Sequence, residues 1–272
     1  MKSLTEHLRV KGARVRLAGW NPRSTPGCDD KEKAVERLAG NLERIDELQY
    51  LLSSEARQSL LIVLQGMDGA GKDGLIRKVM TAFNAQGCKV WSFKVPTVEE
   101  AGHDFLWRIH RAAPSAGEVA IFNRSHYEDV LVVRVHDLVA PEVWKQRYEV
   151  INQFERLLVD RGTRVLKFYL HISREEQRQR LLARLDHPLK RWKFSDADLV
   201  ERAQWRKYQR AFEDALGRCS TKHAPWFIIP ADRKWYRDFA VSQIVADEMD
   251  RMNPQLPKAR LQIKKLRALL AG

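Results

Sequence analysis

The run Leu60-Leu61-Ile62-Val63-Leu64-Gln65-Gly66-Met67-Asp68-Gly69-Ala70-Gly71-Lys72-Asp73-Gly74 joins an apolar strand to a glycine loop and then to a helix. Residues 60–64 are continuous aliphatics, as in a strand buried on both faces, and Leu75, Ile76, Val79, Met80 and Phe83 follow at helical spacing. Between them, Gly66, four spacers, Gly71 and Lys72 read as a phosphate cradle. Glycines let backbone N–H groups turn inward around phosphate oxygens, the helix start adds the positive end of its dipole, and lysine supplies a mobile charge. Asp73 stands where such loops ordinarily carry Ser or Thr. The bare spacing arises by chance in roughly one chain in ten of this length, so the flanking strand and helix are what separate a cradle from an ordinary glycine turn.

Strand and helix patterns alternate outward from this point. A helix from residue 31 places Val35, Leu38, Leu42, Ile45, Leu48 and Leu52 on one face. After the cradle come a strand over 88–93, a helix over 99–111, a strand over 119–122 and a helix over 141–160 that opens on Pro141. A strand over 165–172, helices over 173–185 and 196–216, a strand over 226–229 and a helix over 234–252 complete the pattern. This is an α/β chain with a doubly wound, mostly parallel sheet, whose ligands collect beyond the carboxyl ends of the strands. Residues 1–30, basic and broken by glycine and proline, read as an N-terminal arm, 31–252 as the domain, and 253–272 as a basic tail.

With 272 residues, 44% hydrophobic and 31% charged, the composition is that of a soluble globular protein. No stretch approaches the roughly 18 apolar residues of a membrane span, and the start lacks the apolar core of a signal peptide, so a cytoplasmic protein is expected. Cys28, Cys88 and Cys219 lack disulfide or zinc spacing, and the eight histidines form no metal motif. The formal charge of +13 implies a polyanionic partner, for which nucleic acid, an acidic membrane and polyphosphate all qualify. Part of the excess is the terminal cluster Lys258, Arg260, Lys264, Lys265 and Arg267.

The third strand ends in Phe122-Asn123-Arg124-Ser125-His126-Tyr127-Glu128-Asp129, where phosphate loops usually find a magnesium-holding carboxylate. Asn123 is an amide, which leaves Asp68, Asp73 and Asp129 as candidate metal ligands, although Asp73 could equally serve the helix dipole. Arg124 follows a buried strand at the ligand-collecting edge, where phosphate contact competes with a structural salt bridge. Arg134 could pair with a helix acid, and Glu128 could accept hydrogen bonds from a nucleotide or be a solvated surface acid. Arg174 with Arg178, and Arg180 with Arg184, share helix faces four residues apart, a repulsive arrangement that an anion would relieve. Pro188-Leu189-Lys190-Arg191-Trp192-Lys193 then suggests a mobile lid over phosphates, or else a basic loop with Trp192 tucked into the core. His126 could carry a phosphoryl group, but a hydrogen-bonding role suffices if transfer is direct.

Gly-Met-Asp-Gly-Ala-Gly-Lys-Asp-Gly at 66–74, Asn-Arg-Ser-His-Tyr-Glu-Asp-Val-Leu-Val-Val-Arg-Val at 123–135, Lys-Arg-Trp-Lys-Phe at 190–194 and Pro225-Trp226 together closely resemble the polyphosphate kinase 2 family, over residues ~30 to 250. The resemblance implies a three-layer P-loop kinase core related to thymidylate kinase, with a helical lid at about 180–197. It implies Mg²⁺-assisted (or Mn²⁺-assisted) direct transfer of the terminal phosphoryl of inorganic polyphosphate to a nucleotide, without the phosphohistidine of the unrelated polyphosphate kinase 1 enzymes. Many members carry Asp-Arg-Ser, and Gly-Arg or Asn-Arg, where this chain has Asn123-Arg124-Ser125 and Glu128-Asp129. That combination resembles the class III subgroup, which takes AMP to ADP and ADP to ATP. By position, Asp68, Lys72 and Arg124 are implied as catalytic, Asp68, Asp73 and Asp129 as metal-holding, and Asn123, Arg124, Glu128 and Arg134 as nucleotide-facing. Gly69, Ala70, Gly71, Lys72 and Asp73, and more loosely Arg180, Arg184, Lys190, Arg191 and Lys193, are implied to bind phosphate. Homodimers or homotetramers are implied, with no membrane association, and nucleic acid is not an expected partner. The competing readings are an ATP-dependent nucleoside-monophosphate kinase, which would share fold and lid, and a nucleic-acid-binding protein, which would explain the charge but not the loop.

Overall fold

In the computed structural model, which describes residues 4–258 and 262–271 apart from the side chains of Lys193, Lys264 and Lys265, strands and helices alternate along the chain. Arg260 of the basic tail lies outside the described residues. The order begins α1 (Leu4–Leu8), α2 (Lys31–Glu55), β1 (Ser59–Gln65), α3 (Lys72–Val79), β2 (Cys88–Ser92), α4 (Val98–Ala101), α5 (Trp107–Ala112) and β3 (Val119–Asn123). It continues α6 (Val132–Val135), α7 (Pro141–Asp160), β4 (Thr163–His171), α8 (Arg174–Asp186), α9 (Asp196–Ala203), α10 (Trp205–Cys219), β5 (Trp226–Pro230), α11 (Lys234–Met252) and α12 (Ile263–Ala271).

The strands form one parallel sheet of order β2-β3-β1-β4-β5. β1 lies at its centre, paired to β3 through Leu60 with Val119 and to β4 through Ser59 with Thr163. It is buried along its whole length, which is why it reads as an unbroken apolar run. Alternate residues feed two cores. Leu60, Ile62 and Leu64 meet Leu38 of α2, Leu75 of α3 and Phe239 of α11 on one face. Leu61 and Val63 share the other with Ile109 of α5, Ile151 of α7 and Phe212 of α10. No helix among the described residues is long and apolar enough to cross a membrane.

Three local expectations change. Val35 is exposed, so the buried stripe of α2 begins at Ala34. The segment 99–111 is two short helices, because Gly102 ends the first and the Asp104 carboxylate accepts from Leu106 N, 2.9 Å, before the second. The helix expected over 196–216 breaks at Gln204, which caps α9 and precedes α10.

Residues before α2 pack onto the sheet. Arg9 bridges to Phe227, Val10 N donates to Trp226 O, and Leu17 N donates to Glu213 on α10, while Leu8, Val10 and Leu17 are buried. The contact is tight enough that a Cβ on Gly217 of α10 would lie 2.3 Å from Ala13 O. Gly217→Ala must therefore push this backbone away and is expected to lower stability by about 1–3 kcal/mol, as overpacking does. Chemical denaturation measures it, and an unchanged midpoint would show that the segment yields freely.

Candidate active site

The cradle follows β1 at the edge where β1, β3 and β4 end together, a place set by the sheet order. Its backbone carbonyls are drawn away from the centre by side chains from distant helices. Arg180 of α8 donates Nη1 to Gly69 O (3.0 Å) and Ala70 O (2.9 Å), and Nη2 to Ala231 O (2.6 Å) and Asp232 O (3.2 Å). Its Nε is bonded to Glu176 at 2.7 Å. Gln177 Nε2 donates to Asp68 O, 2.8 Å, and Arg237 of α11, itself paired with Asp238, donates Nη1 to Gly71 O, 3.1 Å. Gly71 has φ +99, and a Cβ there would sit 2.1 Å from Arg237 Nη1, so only glycine fits both turn and clamp.

Lys72 opens α3 and donates Nζ to Gly66 O at 2.7 Å. Burial pushes its ammonium below the usual lysine range, a pull that neighbouring Asp68 opposes. Across the loop, Asn123 at the tip of β3 donates Nδ2 to Asp73 Oδ1, 2.9 Å, so strand end and helix start are tied directly. Arg124 adopts the left-handed backbone conformation, φ +63, uncommon for a residue with a Cβ. Its guanidinium reaches Asp68, Nη2 to Oδ1 at 2.9 Å, and Glu128 at 4.0 Å. Glu128 is no solvated surface acid: it accepts from Gln65 Nε2 at 3.0 Å, and burial raises its pKa against the pull of Arg124.

The structure thus brings Asp68, Lys72, Asp73, Asn123, Arg124 and Glu128 together at the carboxyl end of the sheet. Other sequence candidates are engaged elsewhere. Asp129 is bonded to Arg147, 3.1 Å, and burial pushes its carboxyl up to about 6. Arg134 pairs with Asp214 of α10 at 2.6 Å and stacks over Trp144. Arg180, as described, is occupied by protein acceptors. Arg184 faces Asp198 of α9, Arg191 Nε donates to Leu185 O, and the Lys193 side chain lies outside the described residues. Trp192 is 77% exposed on the 3-10 turn Pro188–Lys193 and is not tucked into the core. Sequence reasoning missed Gln177, Arg237 and Lys234. Burial lowers the pKa of Lys234, and so do the cations Arg180, Arg237 and Lys190 around it, a concentration of positive charge beside the cradle. Their only signal in the sequence is their place just after β4 and β5.

A central strand running into a glycine cradle, a lysine at the helix start and an arginine at the neighbouring strand's tip define a P-loop kinase. Residues 28–257 match the family described as polyphosphate kinase 2, and the chain belongs to that family of phosphotransferases. It is 48% identical to an AMP/ADP-polyphosphate phosphotransferase of Meiothermus ruber, over 93% of this chain and 95% of the relative. It is 43% identical to an ADP-polyphosphate phosphotransferase of Rhodopseudomonas palustris, over 95% and 94%. The crystal structure of polyphosphate kinase 2 from Arthrobacter aurescens superposes with a TM-score of 0.96, at 44% identity, covering 99% of this chain and 97% of that one.

The lowered pKa of Lys72 means that its charged form is lost at a lower pH than for an ordinary lysine. The pH profile of kcat/KM for the phosphate donor, which reports the free enzyme, should therefore fall on its alkaline side below about 10.4, the unperturbed lysine value. A profile flat to that pH would contradict the assignment.

Proposed function

We propose that this enzyme transfers the terminal phosphoryl group of inorganic polyphosphate to AMP and to ADP, with the chain end at Lys72 and the acceptor on the side of Asn123, Arg124 and Glu128. A terminal phosphate oxygen of the nucleotide attacks the terminal phosphorus of the chain. The bond from that phosphorus to the bridging oxygen breaks, and the shortened chain leaves with the electron pair. The attacking oxygen is already anionic, so no general base is required. Catalysis is positioning and charge neutralisation by Lys72, the loop N–H groups and Arg124. The observation that carries the reading is the convergence of Lys72, Asp68, Arg124 and Glu128 beside one another at the cradle. The buried, Glu155-bonded His126 favours direct transfer.

Among the described residues no three His, Cys, Asp or Glu side chains form a metal cage. Mg²⁺ needs only one or two carboxylates beside phosphate and water oxygens, and Asp68 and Asp73 at the loop fit that demand. They would hold Mg²⁺, or Mn²⁺ in its place, and the bound ion supplies neutralising charge to the phosphate oxygens. The exposed Leu189 and Trp192 on their short turn, with Lys190 beside them, suit a lid that closes over the phosphate chain and excludes water. The same reading makes the protein a cytoplasmic homodimer or homotetramer.

The test compares long-chain polyphosphate with ATP as donor to AMP and ADP. ATP synthesis from ADP and polyphosphate is expected, and transfer from ATP alone would instead make this a nucleoside-monophosphate kinase. Lys72→Ala should lower kcat with polyphosphate by about 10²–10³-fold, the scale of losing one preorganised charge contact. Near-normal synthesis by that variant would refute the role of the cradle.

A further inference from the structure

Behind the acceptor side lies an ion pair sealed from water. Lys167, midway along β4, and Glu155 of α7 are both fully buried, 2.5 Å apart. Lys167 Nζ also donates to Tyr127 OH at 2.8 Å and to Cys219 O at 2.7 Å, which uses all three of its protons. Glu155 Oε1 accepts from Tyr127 OH at 2.8 Å and from His126 Nε2 at 3.3 Å. Such a pair stabilises a fold little better than apolar residues of the same volume, while removing one partner strands a buried charge. Its contacts suggest another use, because they fall on two consecutive residues of the turn His126–Asp129. That turn is continuous with Arg124 and Glu128. Ser125 Oγ accepts from Tyr127 N and from Gln65, Glu128 N donates to Ser125 O, and Arg124 N donates to Leu64 O.

We propose that Glu155 and Lys167 are positioning residues for the acceptor side: by clamping His126 and Tyr127 they hold the turn that keeps Arg124 in its left-handed conformation and Glu128 against Gln65. The inference rests on the reading that places the acceptor nucleotide at residues 123–128. Neither side chain touches substrate. Burial pushes the His126 pKa below the usual histidine value against the pull of Glu155, and the Glu155 carboxylate, an acceptor, pairs with its Nε2.

The double variant Glu155→Gln/Lys167→Met keeps volume and removes both charges without orphaning either. Assayed well below its melting temperature, it should lose roughly ten- to a hundredfold in kcat, the scale of a small misplacement of catalytic groups. Its KM for AMP or ADP should rise, while KM for polyphosphate, set by the cradle, stays within about twofold. His126→Gln, which retains a donor, should recover most of the activity lost in His126→Leu. Unchanged kcat and acceptor KM in the double variant, whatever its melting temperature, would overturn the proposal, as would an equal rise in both KM values. If the double variant does not fold, Tyr127→Phe, which removes one bridging hydroxyl, is judged by the same two criteria. Arg124→Ala is the control. An inactive Arg124→Ala beside a fully active double variant overturns the positioning role alone, whereas an active Arg124→Ala overturns the acceptor-side reading and this inference with it.

Discussion

A backbone loop can offer its N–H groups to phosphate only if its carbonyls are satisfied on the other side, and here that task falls to Arg180, Gln177 and Arg237. Each buried carbonyl left unpaired would cost about 1–3 kcal/mol, so the cradle and its clamp are a single structure. The clamp explains other features in turn. It requires α8 and α11 to start beside the cradle, which the parallel order places at the ends of β4 and β5. It also requires Gly71, since a side chain there would occupy the position of Arg237 Nη1.

The facing wall obeys a different constraint. The β3 tip must present Asn123 and Arg124 toward the loop while the chain turns at once into a 3-10 turn and the short helix α6. Arg124 meets this with an uncommon φ, a cost that persists only where the surroundings over-determine it. Gln65, the last residue of β1, supplies one support by reaching both Ser125 and Glu128. The buried Glu155 and Lys167 supply another from beneath. The two walls are joined by Asn123 to Asp73 and Arg124 to Asp68, so the cradle and the β3 tip are spaced by hydrogen bonds as well as by the sheet.

What the sequence makes legible follows the range of the interactions. β1, the cradle and α3 are set by neighbours within a few residues, and strand and helix periods carry the rest of the α/β pattern. Gln177 lies 109 residues from the loop atom it caps and Arg237 lies 166 away, distances over which one sequence carries no local signal. The same range effect explains Arg180. A cation on a helix face beside a phosphate loop reads as a phosphate ligand, yet its donors are spent on backbone carbonyls that only the folded chain brings within reach. Arg134 and Asp129 differ again: both stand in the right segment, but α6 and the preceding turn direct them to Asp214 and Arg147.

Charge distribution makes the last link between fold and substrate. Lys72 already has an acceptor in Gly66 O, and Arg124 one in Asp68, so phosphate gains these groups by exchange and a single anion of low charge would gain little. Lys234 is different, because burial depresses its pKa and the cations Arg180, Arg237 and Lys190 around it depress it further. Nearby negative charge relieves that repulsion, and it does so most when it is extended enough to reach both Lys72 and the cations around Lys234. A chain of phosphates meets that condition along its length, whereas the triphosphate of a nucleotide ends in an uncharged base where further cations would be wasted.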